Sequence, residues 1–397
     1  MKQLKIVLLM VCLPWNTWAD KPLINYHSQI IHYQGENFSA QVPLGYQLEL
    51  LNAELDGPRL FQFASNGDLI IGSKSGRVYR MEPPYNKAQV LIELGDYPHS
   101  VAFRDDKIFI ARTSGVYQAN YQPGQKRIKR RHLKLVAALP GGGGHNSRSI
   151  AVGPDKRLYA SLGISGNCSN QYLGEEYPFI DRRGGIFVLD ESKPKDHWRA
   201  YGAGLRNPIG FDWHPQTEVL YASNNGPDHR GYDLPPEYFS KVEANSFHGM
   251  PWFQYNGKTI ERDNCIAADP PQSLTQVVKP VLTFPARNAP MGVAFVPAKS
   301  FDKAFRYDAI VALHGSWATQ PDGGFLGSRA SRRVPKIVIA RFENGEAKRV
   351  DDFITGFQLA NGKRWGRPMG VGFGPDGSLY FSSDGGQIEG MFRLRKK

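Results

Sequence analysis

His145 stands at the end of four consecutive glycines, in the stretch Gly141-Gly142-Gly143-Gly144-His145-Asn146-Ser147-Arg148. An imidazole titrates near neutral pH and can accept a proton, and glycine lets the backbone approach a ligand closely. The same residues also suit a connector carrying a solvated histidine, and the local sequence leaves both readings open. Three other polar clusters follow. Gly204-Leu205-Arg206-Asn207-Pro208 brings a guanidinium and an amide, and Trp365-Gly366-Arg367-Pro368 brings a second guanidinium. Two fixed guanidiniums with a lysine suit a small ligand bearing several carboxylates, each gripped through paired hydrogen bonds, although either arginine could instead make a structural salt bridge. Ser223-Asn224-Asn225-Gly226-Pro227-Asp228 offers main-chain carbonyls beside a carboxylate, hard oxygen donors of the kind calcium accepts, at a spacing unlike an EF-hand loop. A plain turn is the alternative there.

These clusters lie just before or after copies of one pattern, an apolar run, a turn and a second apolar run. The copies begin at Phe61, Val101, Ile150, Gly210, Gly292 and Gly370, and their second runs begin at Ile70, Ile108, Leu158, Leu220, Ile310 and Leu379. Several are followed by a further strand, as at Arg77 and Gly185. Their spacing, about forty to about eighty residues, varies with loop length. Strand pairs repeated around an axis predict an all-β fold, a six-bladed β-propeller whose central mouth forms a site. A pair of β-sandwiches would not explain six recurrences. Long loops at 163 to 183, 224 to 251, 255 to 278 and 315 to 335 are expected to gather on one face and build the pocket.

The composition is that of a globular chain: 41% hydrophobic, 12% aromatic and rich in glycine, with nothing that predicts disorder. Lys2 and Lys5 precede an apolar run at residues 6 to 13 and a small-residue site at Thr17-Trp18-Ala19, so residues 1–19 read as a signal peptide and residues 20–397 as a single propeller domain. Val11 before Cys12 argues against a lipid anchor. No later run reaches the ~18 apolar residues that a membrane span needs, so the expected location is periplasmic or secreted. Without Lys2 and Lys5 the net charge falls from +12 to +10, still basic and favourable to anionic ligands. The dense cluster at residues 126 to 131 lacks interleaved aromatics and reads as a solvated edge, not a nucleic-acid site. Cys168 and Cys265 remain in the mature chain, where an oxidising compartment permits them to pair; two free thiols are the alternative.

The ordered set Gly-Gly-Gly-His-Asn-Ser-Arg, Gly-Leu-Arg-Asn-Pro, Asn-Gly-Pro-Asp with Asp-Leu-Pro-Pro-Glu, His-Gly-Ser-Trp and Gly-Arg-Pro-Met-Gly-Val resembles the soluble quinoprotein sugar dehydrogenases, over roughly residues 40 to 395. That family includes soluble glucose, aldose sugar and sorbosone-dehydrogenase-like enzymes. The resemblance implies a six-bladed propeller that holds pyrroloquinoline quinone (PQQ) and calcium, oxidises a sugar or related polyol or aldehyde, and passes electrons to an external acceptor. It implies His145 as general base, Arg206 beside the quinone carbonyls, and Asn207 as a cofactor contact. It also implies the carbonyls of Gly226 and Pro227 as calcium ligands, and Lys336 and Arg367 on the cofactor carboxylates. The insert at 318 to 334 shifts the register near Lys336. Trp365 stands near a position where the glucose enzymes carry a second arginine, and the loop at 228 to 243 departs from theirs. His99 and Trp317 are pocket candidates, with a core histidine and a packed indole as the alternatives. A binding propeller without catalysis and a calcium-dependent hydrolase are the rival functions.

Overall fold

A computed structural model of the chain describes residues 21, 23–192, 198–299 and 301–397. The signal-peptide segment lies outside the described residues. Each of the six strand pairs seen in the sequence forms the two inner strands of a sheet of four antiparallel strands, to which blade 3 adds a fifth. Blade 1 runs from Pro58–Phe63 to Ala88–Glu93 and blade 2 from Ser100–Arg104 to Lys134–Ala138. Blade 3 starts at Arg148–Val152 and ends at Trp198–Ala203, with Ser246–Phe247 added parallel at its edge. Blade 4 comprises Phe211–Trp213, Leu220–Asn224, Glu237–Val242 and Leu282–Phe284. Blade 5 spans Pro290–Phe295 to Glu346–Ile354. Blade 6 takes Pro368–Phe373, Leu379–Ser383 and Gly390–Lys396 from the C-terminal end and is completed by Tyr46–Asn52, paired antiparallel with Gly390–Lys396.

Second strands such as Leu69–Ser73, Leu158–Leu162 and Ala309–Leu313 are buried at every residue. A strand covered on both faces needs a continuous apolar run instead of alternation, which is why these segments stand out in the sequence. Each pair of neighbouring blades shares one apolar cluster: Ile70 with Val101, Phe109 with Ile150, Ile186 with Phe211, Phe239 with Val311, Ile310 with Phe381, and Leu69 with Met391. The cores therefore form a ring, and no blade can leave it without exposing two of them. A hairpin, Tyr26–Tyr33 with Glu36–Pro43, covers the cluster between blades 5 and 6.

Two of the expected long loops contain regular structure. Residues 224 to 251 include Glu237–Val242, the third strand of blade 4, and Ser246–Phe247; residues 255 to 278 include Ile260–Arg262, paired with Phe253–Tyr255. The Pro235-Pro236 pair and the polar residues of Glu237–Val242 hide a strand that is nearly all buried. Cys168 and Cys265 form a disulfide. Because the first two strands of a blade are antiparallel, the start of one lies beside the end of the other, as Arg148 does opposite Leu162. Residues entering a first strand or leaving a second strand therefore emerge on one face.

Candidate active site

That face carries His145, Arg206, Asn207 and Gly226, which the sequence analysis singled out, in one cleft of about 150 Å³ together with Asn225, Asp228, Glu237, Arg287, Ser316 and Trp317. A larger hollow of about 360 Å³ lies toward the other end of the first strands, and among the described residues Asp212 is the one ionisable group that lines it. The Asp212 carboxylate already accepts from the main-chain N–H groups of Trp213 and Phe295, each at 2.8 Å, so it serves the scaffold.

His145 adopts a positive φ of 52°. Its Nδ1 lies on the carbonyl of Ile164, which can only accept, so Nδ1 carries the proton and Nε2 keeps its lone pair. Burial, and next the Arg206 cation, pull its pKa down to about 4, which keeps the imidazole neutral at working pH. The glycine stretch is far from a free connector. Arg148, 0% exposed, donates from Nη1 to the carbonyls of His145 (2.7 Å) and Ser147 (2.9 Å) and from Nη2 to Pro140 (2.7 Å). Arg183, 1% exposed, donates to the carbonyls of Gly163 (2.8 Å) and Gly144 (2.6 Å), to that of Gly142, and to that of His145 at 3.3 Å. Neither arginine has an ion-pair partner among the described residues; burial lowers their pKa values to about 9 and about 10, and carbonyl dipoles take the place of a counter-ion.

Gly163 shows how tightly the site is assembled. A Cβ there would lie 2.3 Å from Asn207 Oδ1 and 2.8 Å from His145 Cβ. Gly163→Ala is expected to displace both groups and lower kcat by about 10²-fold, with a smaller loss in thermal stability, as steady-state kinetics and a melting curve would show.

Arg206 is buried, and that burial lowers its pKa. Its Nη1 donates to Gly226 O at 2.8 Å, while Nε and Nη2 reach Asn167 O (3.1 Å) and Asn167 Oδ1 (2.9 Å). Asn207 N is held by Asn224 Oδ1 at 3.0 Å, whereas Asn207 Oδ1 and Asn225 Oδ1 are buried without a partner among the described residues. Gly226 and the following Pro227 are buried, and Gly226 N donates to the Glu237 carboxylate. Burial pushes the Glu237 pKa up to about 7. Asp228 is gripped by Arg287, whose guanidinium also bonds Gly231 O.

A second cationic group sits where blades 5, 6 and 1 meet. Arg367 donates to His314 O at 3.1 Å and contacts His314 Nδ1 at 2.8 Å, and the opposite ring nitrogen donates to Asp384. Arg59 and Lys74 lie on the other Asp384 oxygen at 3.0 and 2.8 Å. Burial opposes ionisation of Asp384, yet His314, Arg59 and Lys74 hold its pKa well below the usual carboxylate range.

Lys336 is not brought into the cleft. It begins the third strand of blade 5, two strands out from the axis, and its ammonium pairs with Asp352 at 2.6 Å. His99 is a core histidine, fully buried with Nδ1 3.2 Å from Arg148 O. Trp317 does line the cleft and is 51% exposed, so it is not a packed indole. Trp365 is buried against Phe38 and Phe357 and offers the cleft nothing. Arg59, Arg183, Asn167 and Arg287 escaped the sequence reading, since their partners are set by blade packing and not by neighbouring residues.

The fold is shared with solved structures. A Trichoderma reesei structure of carbohydrate-active enzyme family AA12 aligns with a TM-score of 0.76 at 19% identity, covering 96% of this chain and 100% of that one. The holo form of the pyranose dehydrogenase PQQ domain from Coprinopsis cinerea aligns with a TM-score of 0.71 at 18% identity, covering 90% and 97%. A Borreliella burgdorferi protein known only as uncharacterized is 25% identical over 359 residues, 87% of this chain and 88% of its own length. The TrAA12-like family matches residues 40–234 and 236–393, and the chain therefore belongs to that family of pyrroloquinoline-quinone-dependent oxidoreductases.

Proposed function

We propose that the protein oxidises an aldose, or a related polyol or aldehyde, with PQQ and calcium held in the cleft and His145 as the general base. When bound, the quinone supplies a two-electron hydride acceptor and calcium a Lewis acid beside it. The observation that carries the reading is His145 itself, whose Nδ1 is committed to Ile164 O while Nε2 is left to take a substrate hydroxyl proton at the wall of the cleft.

The residues suit such a cofactor. Asn207 Oδ1 and Asn225 Oδ1 are buried oxygens awaiting a donor or a cation. Gly226 O spends one lone pair on Arg206 and has another for calcium, with Pro227 as the second carbonyl ligand of the proposal. Arg206 holds positive charge where oxygen becomes more negative during the reaction. Arg367, Arg59 and Lys74 outnumber Asp384, their one counter-ion among the described residues, and can receive carboxylates; Arg367 keeps the part that the resemblance gave it, and Arg59 and Lys74 take that of Lys336. Trp317 offers an indole face at the rim, suited to a sugar ring.

The disulfide fits export to an oxidising compartment, and no helix among the described residues is long and apolar enough to cross a membrane. The test is reconstitution: purified apoprotein receives calcium and PQQ, quinone binding is followed by absorbance, and dye reduction is assayed over a panel of aldoses, polyols and aldehydes. Saturable binding with sugar-dependent dye reduction is the expected result. Failure to bind the quinone would overturn the proposal, and binding without turnover on any panel member would favour a propeller that binds but does not catalyse.

A further inference from the structure

We infer that Asn167 is the positioning residue of Arg206 and that the Cys168–Cys265 disulfide is its anchor, so that turnover depends on the disulfide being intact. The inference rests on the function proposed above. Of the acceptors around the Arg206 guanidinium, Asn167 supplies two, its carbonyl to Nε at 3.1 Å and its Oδ1 to Nη2 at 2.9 Å. The same Oδ1 accepts from Asp228 N at 2.8 Å, so Asn167 fixes both the guanidinium and the segment that follows Gly226. Asn167 lies on the 163 to 183 excursion from blade 3, outside any strand, and lacks a ladder of its own to hold it.

The next residue, Cys168, supplies that hold. Its bond to Cys265 ties the excursion to the segment following the hairpin strand Ile260–Arg262. That segment is itself fastened: Cys265 N donates to Asp263 Oδ1 at 2.9 Å, and Asp263 N donates to the carbonyl of the fully buried Trp252 at 2.8 Å. His229 closes the circuit. Its Nε2 lies 2.9 Å from Asp263 Oδ1 and its Nδ1 lies 3.6 Å from Cys168 Sγ, and it adjoins Asp228, whose N–H is on Asn167. Arg206, Asn167, Cys168, Cys265, Asp263, His229 and Asp228 thus form one closed loop of covalent and polar links around the cleft wall. Arg206 has no strong ion pair to hold it in the loop's absence; Asp228 is 3.7 Å away and already engaged by Arg287.

Reduction by an external dithiol adds two electrons and two protons to the disulfide, giving two thiols, while the dithiol becomes a disulfide. The excursion then keeps only noncovalent links, and Asn167 no longer fixes the guanidinium. The test compares wild type, Asn167→Ala, Asn167→Asp, the Cys168→Ser/Cys265→Ser pair and the triple variant, each reconstituted with calcium and PQQ. Readouts are kcat, KM, the quinone dissociation constant of the apoprotein, and the melting temperature. Asn167→Ala is expected to lower kcat by about 10²-fold with little change in KM or melting temperature, and to weaken quinone binding severalfold. Asn167→Asp, which keeps the Oδ1 acceptor that alanine removes, should recover most of the loss. The serine pair should lose kcat to a similar extent as well as thermal stability, and adding Asn167→Ala to it should cost nothing further, since both changes cut one tether. Full kcat in Asn167→Ala, or losses that multiply in the triple variant, would overturn the inference. Wild type that binds no quinone would instead overturn the proposed function, so the two failures are distinct.

Discussion

Alanine at His145 is expected to lower kcat by about 10³-fold while the apoprotein still binds PQQ, because the change removes the proposed proton acceptor and leaves Arg206, Asn207 and Arg367 in place. The loss should not be rescued by folding conditions. The imidazole contributes one hydrogen bond to Ile164 O, about 1 kcal/mol, and stability should change by no more than that order. Steady-state kinetics beside a quinone titration separates the two effects, and unimpaired turnover would remove His145 from the reaction. The pH profile carries a second signature. Burial and the Arg206 cation lower the His145 pKa to about 4, so activity limited by this base should be flat near neutrality and fall only as pH drops through about 4. An unperturbed histidine would instead fail near 6.5. The linked stability has a definite sign. Between about 4 and 6.5 the unfolded chain binds a proton here that the folded chain does not, so folding stability from this group is full above that window and declines as pH falls through it.

Methionine in place of Arg183 is the second large effect. The side chain fills similar space but donates nothing, and the carbonyls of Gly142, Gly144, Gly163 and His145 lose a partner together. Stranding the carbonyl of the buried Gly163 costs about 1 kcal/mol or more, whereas Gly142 and Gly144 are exposed to water and His145 O keeps its bond from Arg148. Relief from burying a cation, evident in a pKa pulled down to about 10, offsets part of this, and a net destabilisation of no more than about 1 kcal/mol is expected. Catalysis should suffer more than stability, because the four-glycine stretch would no longer hold His145 at its positive φ; a fall in kcat of about 10²-fold is expected. Arg183→Lys keeps the charge but not the planar fork, and should recover little. Denaturant unfolding and kinetics on the same preparations would check both numbers.

The blades were legible because second strands buried on both faces must be continuously apolar, and six such runs with a turn before each leave little choice of architecture. That His145, Arg206, Asn207 and Gly226 would share one cleft was legible because blade ends are where a propeller can display polar groups. What lay beyond reach was whatever depends on which loops meet. Arg148 sits in the quoted motif, yet its work, bonding Pro140 O and His145 O from a fully buried position, follows only from the curl of the glycine stretch. Glu237 was visible in Asp-Leu-Pro-Pro-Glu, but its role behind Gly226 N required Glu237–Val242 to be a strand, which the adjoining prolines concealed. Lys336 was read across the 318 to 334 insert, where the register is least certain from sequence; it starts the third strand of blade 5 and pairs with Asp352 outside the cleft lining.

The pairing of Tyr46–Asn52 with Gly390–Lys396 sets a schedule for folding as well as a shape. Blades 1 to 5 can each pair from nearby residues as synthesis proceeds, but Tyr46–Asn52 must wait for a partner some 340 residues later. Until then the apolar flanks of the first and last blades have no neighbour, and an unpaired strand edge is open to capture by another chain. Sealing the ring is therefore the slow, non-local event. The arginine-clamped cleft, which draws on blades 3 to 5, can be assembled before the seal, whereas Arg59, Lys74 and Asp384 come together only after it.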